Sequence, residues 1–405
     1  MTATVLFLLD AFRADYLDAA VTPFLASCAQ NGHHVMRVRP SFGFCERAEI
    51  LTGRTPEETG YFTAIGYDPE KSPYKNYKSV LALLHFSERI VRYPVYRKAL
   101  RKFLKFCIRS NPHRMKPYRI PLNLLHLFSL TEDYYDHRDP RAFGRQDLLA
   151  LMEQRGLTYF YDSFTALNLP QGGKDAERFK VALAAASEKH ALYLIFNSVP
   201  DSYGHRFGGD SVETKSALSK MDADLQAFVE EFEKHRPGSQ YVFLGDHGML
   251  DVQHKIDVEH ILQRICISER LVAGKDYSYF LDSTVFRVWL HSDKARESLR
   301  QMIELDSELI EYGVFVDKEM CAREHIPHGD RRYGDILWWA NPGVLICPDF
   351  FHLRSEEVKG MHGYDPRHPQ SQGTCIVWGG KQKPMRTPEE PLTKIYTIIK
   401  DCVFE

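Results

Sequence analysis

The sequence predicts an α/β protein with a mostly parallel central sheet flanked by helices, and three observations carry that prediction. Three short apolar runs, TVLFLLD at 4–10, ALYLIFNSVPD at 191–201 and QYVFLGDHG at 240–248, are continuously rather than alternately hydrophobic. Such runs suit strands covered on both faces. Helical patterns lie between them, VTPFLASCAQNG at 21–32 and ETKSALSKMDADLQAFVEEFEKH at 213–235, and strands alternating with helices specify a doubly wound sheet. Each run ends in polar residues, Asp10, Asp201, and Asp246 with His247. Sheets of this kind place their ligands beyond the carboxyl ends of the strands.

The remaining elements divide the chain. Core pieces are expected at 1–80, 151–257 and 346–405. A basic and aromatic insertion at 81–150 and a small α+β subdomain at 258–345 separate them. The subdomain contains the strand-like YSYFLDSTVFRVWL and DILWWANPGVLIC. No internal repeat or low-complexity tract is visible.

Composition excludes several classes. The chain has 405 residues, a net charge of -2, 44% hydrophobic and 26% charged residues, the balance of an ordinary soluble protein. A near-neutral total gives no reason to expect nucleic acid as a partner. MTATVLFLLDAF lacks the basic start and small-residue cleavage site of a secretory signal. No apolar run reaches the roughly 18 residues that a spanning helix needs. The eight cysteines are scattered, with no CxxC pair, and read as reduced thiols of a cytoplasmic protein.

Charge is unevenly placed. Between 89 and 119 stand Arg89, Arg92, Arg97, Lys98, Arg101, Lys102, Lys105, Arg109, Arg114, Lys116 and Arg119, with no acidic residue. Tyr93, Tyr96, Phe103 and Phe106 are interleaved, and the apolar IPLNLLHLF follows at 120–128. Two readings stay open for residues 89–128: a solvated helix, or a basic amphipathic segment in peripheral contact with anionic lipid or a polyanionic substrate.

Three short motifs carry the chemistry. Asp201-Ser202-Tyr203-Gly204-His205 places a carboxylate and an imidazole four residues apart, able to face one cation from a helical turn or a tight loop. Asp246-His247-Gly248-Met249 gives adjacent ligand types at a strand end, and His362 stands between glycines in Gly360-Met361-His362-Gly363-Tyr364-Asp365. With Asp10 these make three carboxylates and three imidazoles. Mixed nitrogen and oxygen donors suit Zn2+, or Mn2+. Six ligands exceed one tetrahedral ion, so two divalent metal ions are expected. Cations about 4 Å apart serve in-line displacement at phosphorus. His33, His34, His254, His325, His328 and His368 are read as ordinary hydrogen-bonded residues.

These motifs resemble the alkaline phosphatase superfamily, in its type I phosphodiesterase/nucleotide pyrophosphatase branch, over residues 5–69, 190–255 and 330–381. Asp10-Ala11-Phe12-Arg13 is similar to the family's opening Asp-Gly-x-Arg, and Thr22-Pro23-Phe24-Leu25 to its Thr-Pro-Asn-Leu. The resemblance implies an alkaline-phosphatase-like fold. It assigns Asp201, His205 and His362 to one metal and Asp10, Asp246 and His247 to the other.

The departure from the family lies in PSFGFCERAEILTG at 40–53. Leu51-Thr52-Gly53 and Pro40 fix the register, so Gly43 falls where the family keeps its nucleophile. Ala64 falls where this branch keeps an Asn that grips phosphate. Three routes stay open: a thiolate from Cys45 near a helix N-terminus, an alkoxide from Ser41, or direct attack by a cation-activated water or acceptor in the space left by Gly43. Arg47, four residues on, matches a sulfatase Arg and could clamp a phosphate bidentately, or pair with Glu46 or Glu49.

The expected function is a two-metal phosphoester hydrolase, more specifically a phosphodiesterase, or a phospho-group transferase. Its substrate is expected to be a phosphorylated small molecule, with lipid- or glycan-linked phosphate favoured. The alternatives are a metal-binding protein without catalysis and a sulfatase; Gly43 opposes the latter because formylglycine forms only from Cys or Ser.

Overall fold

A computed structural model describes residues 2–91, 94–162, 175–353, 357–380 and 382–404. Arg92 and Tyr93 of the basic stretch lie outside the described residues. The chain packs into two compact units, one of Met1–Thr59, Asp136–Val252 and Val358–Glu405, the other of Gly60–Tyr135 and Gln253–Glu357. This grouping crosses the divisions drawn from the sequence at 80, 150, 257 and 345.

The first unit is built on an eight-stranded sheet. Its order is Met385–Thr387, His33–Arg39, Gly373–Gly379, Gln240–Leu244, Thr4–Leu9, Leu192–Asn197, Tyr159–Tyr161, with Glu390–Pro391 also pairing to His33–Arg39. The three apolar runs of the sequence are adjacent and parallel at its centre. Gly373–Gly379 enters antiparallel between Gln240–Leu244 and His33–Arg39, so the sheet is mixed and mainly parallel. Central strands buried on both faces explain why their sequences do not alternate.

Helices Pro23–Asn31, Asp175–Ala185 and Val212–His235 pack their apolar stripes on the sheet. Phe7 stacks on Phe243 with ring centroids 5.3 Å apart and meets Phe228 edge-on at 5.1 Å. Replacing a buried aromatic of this kind by Ala costs about 3–5 kcal/mol. The Thr22-Pro23 motif is structural. Asp222 accepts from the Phe24 and Leu25 amides at 2.8 and 2.9 Å, capping the first turn of Pro23–Asn31 from the long helix.

The second unit holds a four-stranded antiparallel sheet in the order Tyr277–Asp282, Val285–Leu290, Ile336–Ala340, Gly313–Phe315. Ile65–Tyr67 pairs with Phe128–Leu130, and His254–Ile256 with Val344–Ile346. The basic stretch forms helix Pro94–Cys107, next to helix Lys78–Ile90. One part of the surface expectation is corrected here. Ile120, Leu122, Leu124, Leu125 and Phe128 are fully buried, so 120–128 is core and offers no face to a membrane.

Candidate metal centre

Strand register brings the acidic groups together. Leu8 pairs with Leu244, so Asp10 and Asp246, each two residues further on, emerge side by side. The Ala11 amide donates to Asp246 Oδ1 at 3.2 Å and locks the two strand ends. Ala11 has φ 59, a left-handed conformation that costs a residue with Cβ about 1–2 kcal/mol. The family's Gly at this position is thereby explained, and this chain carries the strain.

The histidines are oriented by backbone carbonyls. His247 Nδ1 donates to Gly248 O at 2.9 Å, which turns Nε2 to Asp10 Oδ1 at 3.1 Å. His205 Nδ1 donates to Gly360 O at 2.9 Å and presents Nε2 to Asp201 Oδ1 at 3.0 Å. Both arrangements point Nε2 at a carboxylate, the orientation in which it could take part in holding a cation. Asp201 and His205 share one face of helix Val199–Phe207, four residues apart.

His362 reaches that helix through a close backbone approach. A Cβ on Gly360 would lie 2.5 Å from Gly204 O, and one on Gly204 would lie 2.8 Å from Met249 Cγ. Gly204 therefore serves close packing inside a helix, the helical one of the two arrangements that its sequence context left open. His362 Nε2 lies 3.6 Å from Asp201 Oδ1. Its ring stacks on His247 at 4.2 Å, with an interplanar angle of 21°.

Two groups of three result. In each, Asp201, His205 and His362 or Asp10, Asp246 and His247, ligand atoms lie within 4.8 Å of one another. Burial alone would raise Asp10, yet the Arg47 guanidinium and His247 hold its pKa below the usual value. Burial pushes Asp246 up to about 7, with the Asp10 charge adding to the rise. Burial opposes protonation of His247, but Asp246 and Asp10 carry its pKa well above the ordinary value. Asp201 likewise raises His205 against burial.

The donor set fits divalent cations. Asp246 is fully buried and its Oδ2 has no hydrogen-bond partner among the described residues. An unsatisfied buried polar atom costs about 1–3 kcal/mol, more when charged. A cation at that oxygen removes the cost. Nitrogen and carboxylate oxygen together are the donors that zinc and manganese take.

The other candidate residues each have their own setting. Arg47 Nη2 lies 3.2 Å from Asp10 Oδ2, and Nη1 lies 3.6 Å from Glu46. Ser41 Oγ donates to Glu49 Oε2 at 2.8 Å. Cys45 is buried and occupies the N-cap position of helix Glu46–Thr52. Gly43 has φ 123, in a region that residues with Cβ avoid. Ala64 lies in the second unit, where its carbonyl accepts from the Thr131 amide at 3.0 Å.

Two contributions were missed in the sequence, the whole role of Phe44 and the burial of Glu46. Phe44 packs its ring edge on His362 at 5.8 Å, and the buried Glu46 raises the pKa of both Asp246 and His247. An acidic residue in a first helical turn reads as an exposed dipole partner, so nothing local announced the burial of Glu46.

The profile of the type I phosphodiesterase / nucleotide pyrophosphatase family matches residues 4–365. The chain belongs to that family. Its members are phosphodiesterase and pyrophosphatase hydrolases, and this chain is a hydrolase of the same kind. An uncharacterized pyrophosphatase/phosphodiesterase of Schizosaccharomyces pombe is 26% identical over 391 residues, spanning 93% of this chain and 70% of that protein. Among solved structures, murine ectonucleotide pyrophosphatase / phosphodiesterase 5, in an inactive form complexed with AMP, matches with a TM-score of 0.66 at 18% identity. The human protein of the same name matches with a TM-score of 0.67 at 18% identity. Each comparison covers 100% of this chain and 95% of the other. At that identity the likeness concerns the fold, the α/β arrangement with a mixed, mainly parallel sheet.

Proposed function

We propose that this chain cleaves a phosphodiester or pyrophosphate bond using two divalent cations, one held by Asp10, Asp246 and His247, the other by Asp201, His205 and His362. The observation that carries the reading is the adjacency of the two groups through the His247–His362 stack, with the buried Asp246 Oδ2 lacking a partner. When bound, two such ions, zinc or manganese by donor type, supply positive charge to the oxygens entering and leaving phosphorus.

The chain's own side chains do the rest. Carbonyls of Gly248 and Gly360 keep His247 and His205 in the ligating tautomer. Arg47, already facing Asp10, offers a planar guanidinium to the non-bridging oxygens of the substrate. The Ser41 hydroxyl is engaged by Glu49 and position 43 has no side chain. Both facts support displacement by water, or by an acceptor hydroxyl in transfer, without a covalent enzyme intermediate.

The AMP complex of the murine relative supports a phosphorylated small molecule as the ligand class. A lipid- or glycan-linked phosphate is favoured by the basic, aromatic character of residues 94–119. The cytoplasmic reading rests on the spacing of the eight cysteines, scattered and with no CxxC pair, a pattern suited to a reducing compartment.

The test is turnover of bis-nitrophenyl and mono-nitrophenyl phosphates after chelation and after return of zinc or manganese. Cleavage of the diester restored by either metal is expected. A protein that binds both ions and cleaves none of the esters is a binding protein instead.

A further inference from the structure

Helices Lys78–Ile90 and Pro94–Cys107 carry outward faces that the fold of their unit leaves uncovered. On the first, Val80, Leu83, Phe86 and Ile90 recur at helical spacing and are all exposed, Leu83 to 68% and Ile90 to 66%. On the second, Val95, Phe103 and Phe106 are exposed, Val95 to 79%. Lys98, Lys102, Lys105 and Arg109 border those apolar residues and are exposed as well. The Arg109 guanidinium lies 4.1 Å from the Phe106 ring centroid.

The opposite faces are anchored. Leu100, Leu104 and Ile108 are buried. Ser87 Oγ and Tyr96 OH lie 2.8 Å apart, Arg101 Nη1 stands 3.7 Å from Glu88, and Arg101 Nη2 donates to Ile120 O at 3.3 Å. Thus the helix pair is held to its unit while its apolar and cationic side faces away from the core.

We propose that this face docks on an anionic phospholipid bilayer. Charge complementarity selects the occupant: no acidic residue stands between Pro94 and Arg119, in a chain whose net charge is -2. A protein interface core would be depleted of Lys, whereas lysines beside bulky aliphatic and aromatic groups characterise helices lying in a membrane interface. Aliphatic Val80, Leu83, Ile90 and Val95 have no ring on which a nucleic-acid base could stack. The apolar side chains enter the headgroup boundary and the lysines meet lipid phosphates. No helix among the described residues is long and apolar enough to cross a membrane, so the contact is peripheral.

The experiment is co-sedimentation of the full-length, metal-loaded protein with vesicles of phosphatidylcholine, with or without phosphatidylglycerol. Binding to the anionic vesicles alone, weakening as salt rises, is expected. The triple variant Lys98→Gln, Lys102→Gln, Lys105→Gln and the triple variant Leu83→Ser, Phe86→Ser, Phe106→Ser should each lower the partition coefficient at least tenfold. Both should keep the wild-type melting temperature, since the altered side chains are exposed. Equal sedimentation with neutral and anionic vesicles overturns the proposal, as does unchanged binding of either variant. A concentration-dependent dimer, abolished by Phe86→Ser in the absence of lipid, would assign the face to a second copy of the chain and also overturn it.

Discussion

Arg47 and Asp10 form a buried ion pair, Nη2 to Oδ2 at 3.2 Å. The arginine comes from the helix after the Gly43 loop and the carboxylate from the end of the central strand. Their contact ties the Gly43 loop to the proposed ligand set. A guanidinium at that place holds the Asp10 pKa below its usual value, and under the proposed function it is also the cationic partner of the substrate phosphate.

Arg47→Ala is expected to lower kcat/KM for a phosphodiester by about 100-fold, in line with the loss of a preorganised charge at phosphorus. Arg47→Lys should recover only part, because an ammonium cannot bond bidentately. Steady-state rates on bis-nitrophenyl phosphate decide it. Wild-type rates in both variants would remove Arg47 from the mechanism.

Metal removal should abolish turnover, and the six ligands should lose metal in two separable sets. Asp246→Asn and His247→Ala are expected to deplete one ion, while His205→Ala and His362→Ala deplete the other. Elemental analysis after dialysis reads the stoichiometry. Loss of both ions from every variant would mean the groups do not bind independently.

Neither Ser41 nor Cys45 is expected to be a nucleophile. Ser41→Ala and Cys45→Ala, made singly, should stay within about threefold of the wild-type rate, below the 100-fold scale of a lost catalytic group. Gly43→Ser should not restore a covalent route, because φ 123 strains any residue with Cβ, at about 1–3 kcal/mol. Intact-mass analysis of quenched turnover should show no phosphorylated protein. An adduct on Cys45 or Ser41 would refute direct displacement.

Glu49 supplies a pH signature. Burial pushes its carboxyl up to about 8 from 4.5. The folded chain therefore keeps a proton that the unfolded chain releases above about 4.5, and stability falls as pH rises from there to about 8. Glu49→Gln should flatten that slope and raise stability at pH 8 by about 2–4 kcal/mol. Chemical denaturation at several pH values measures it; an unchanged slope would show that Glu49 ionises freely in the fold.

Ala11, beside Asp10, offers a test read as stability rather than turnover. With φ 59, Ala11→Gly relieves about 1–2 kcal/mol of left-handed strain against a chain-entropy cost of roughly 0.5–1 kcal/mol. A small net gain is expected in the melting temperature, and a clear loss would contradict the strained assignment.

The sequence by itself determined the α/β class, because strands buried on both faces must be continuously apolar and strand ends must turn polar where the sheet meets solvent. It also displayed the donor types, as Asp and His spaced in short motifs. The family resemblance implied their grouping, and tertiary structure decided the geometry by which those donors meet. The Leu8–Leu244 register sets Asp10 beside Asp246, and the Gly204–Gly360 approach sets His362 against the Asp201 helix; both join residues distant in the chain, which no local pattern encodes. The same holds for the burial of 120–128 and of Glu46. An apolar or charged stretch states what it can cover or pair with, and only packing chooses the partner.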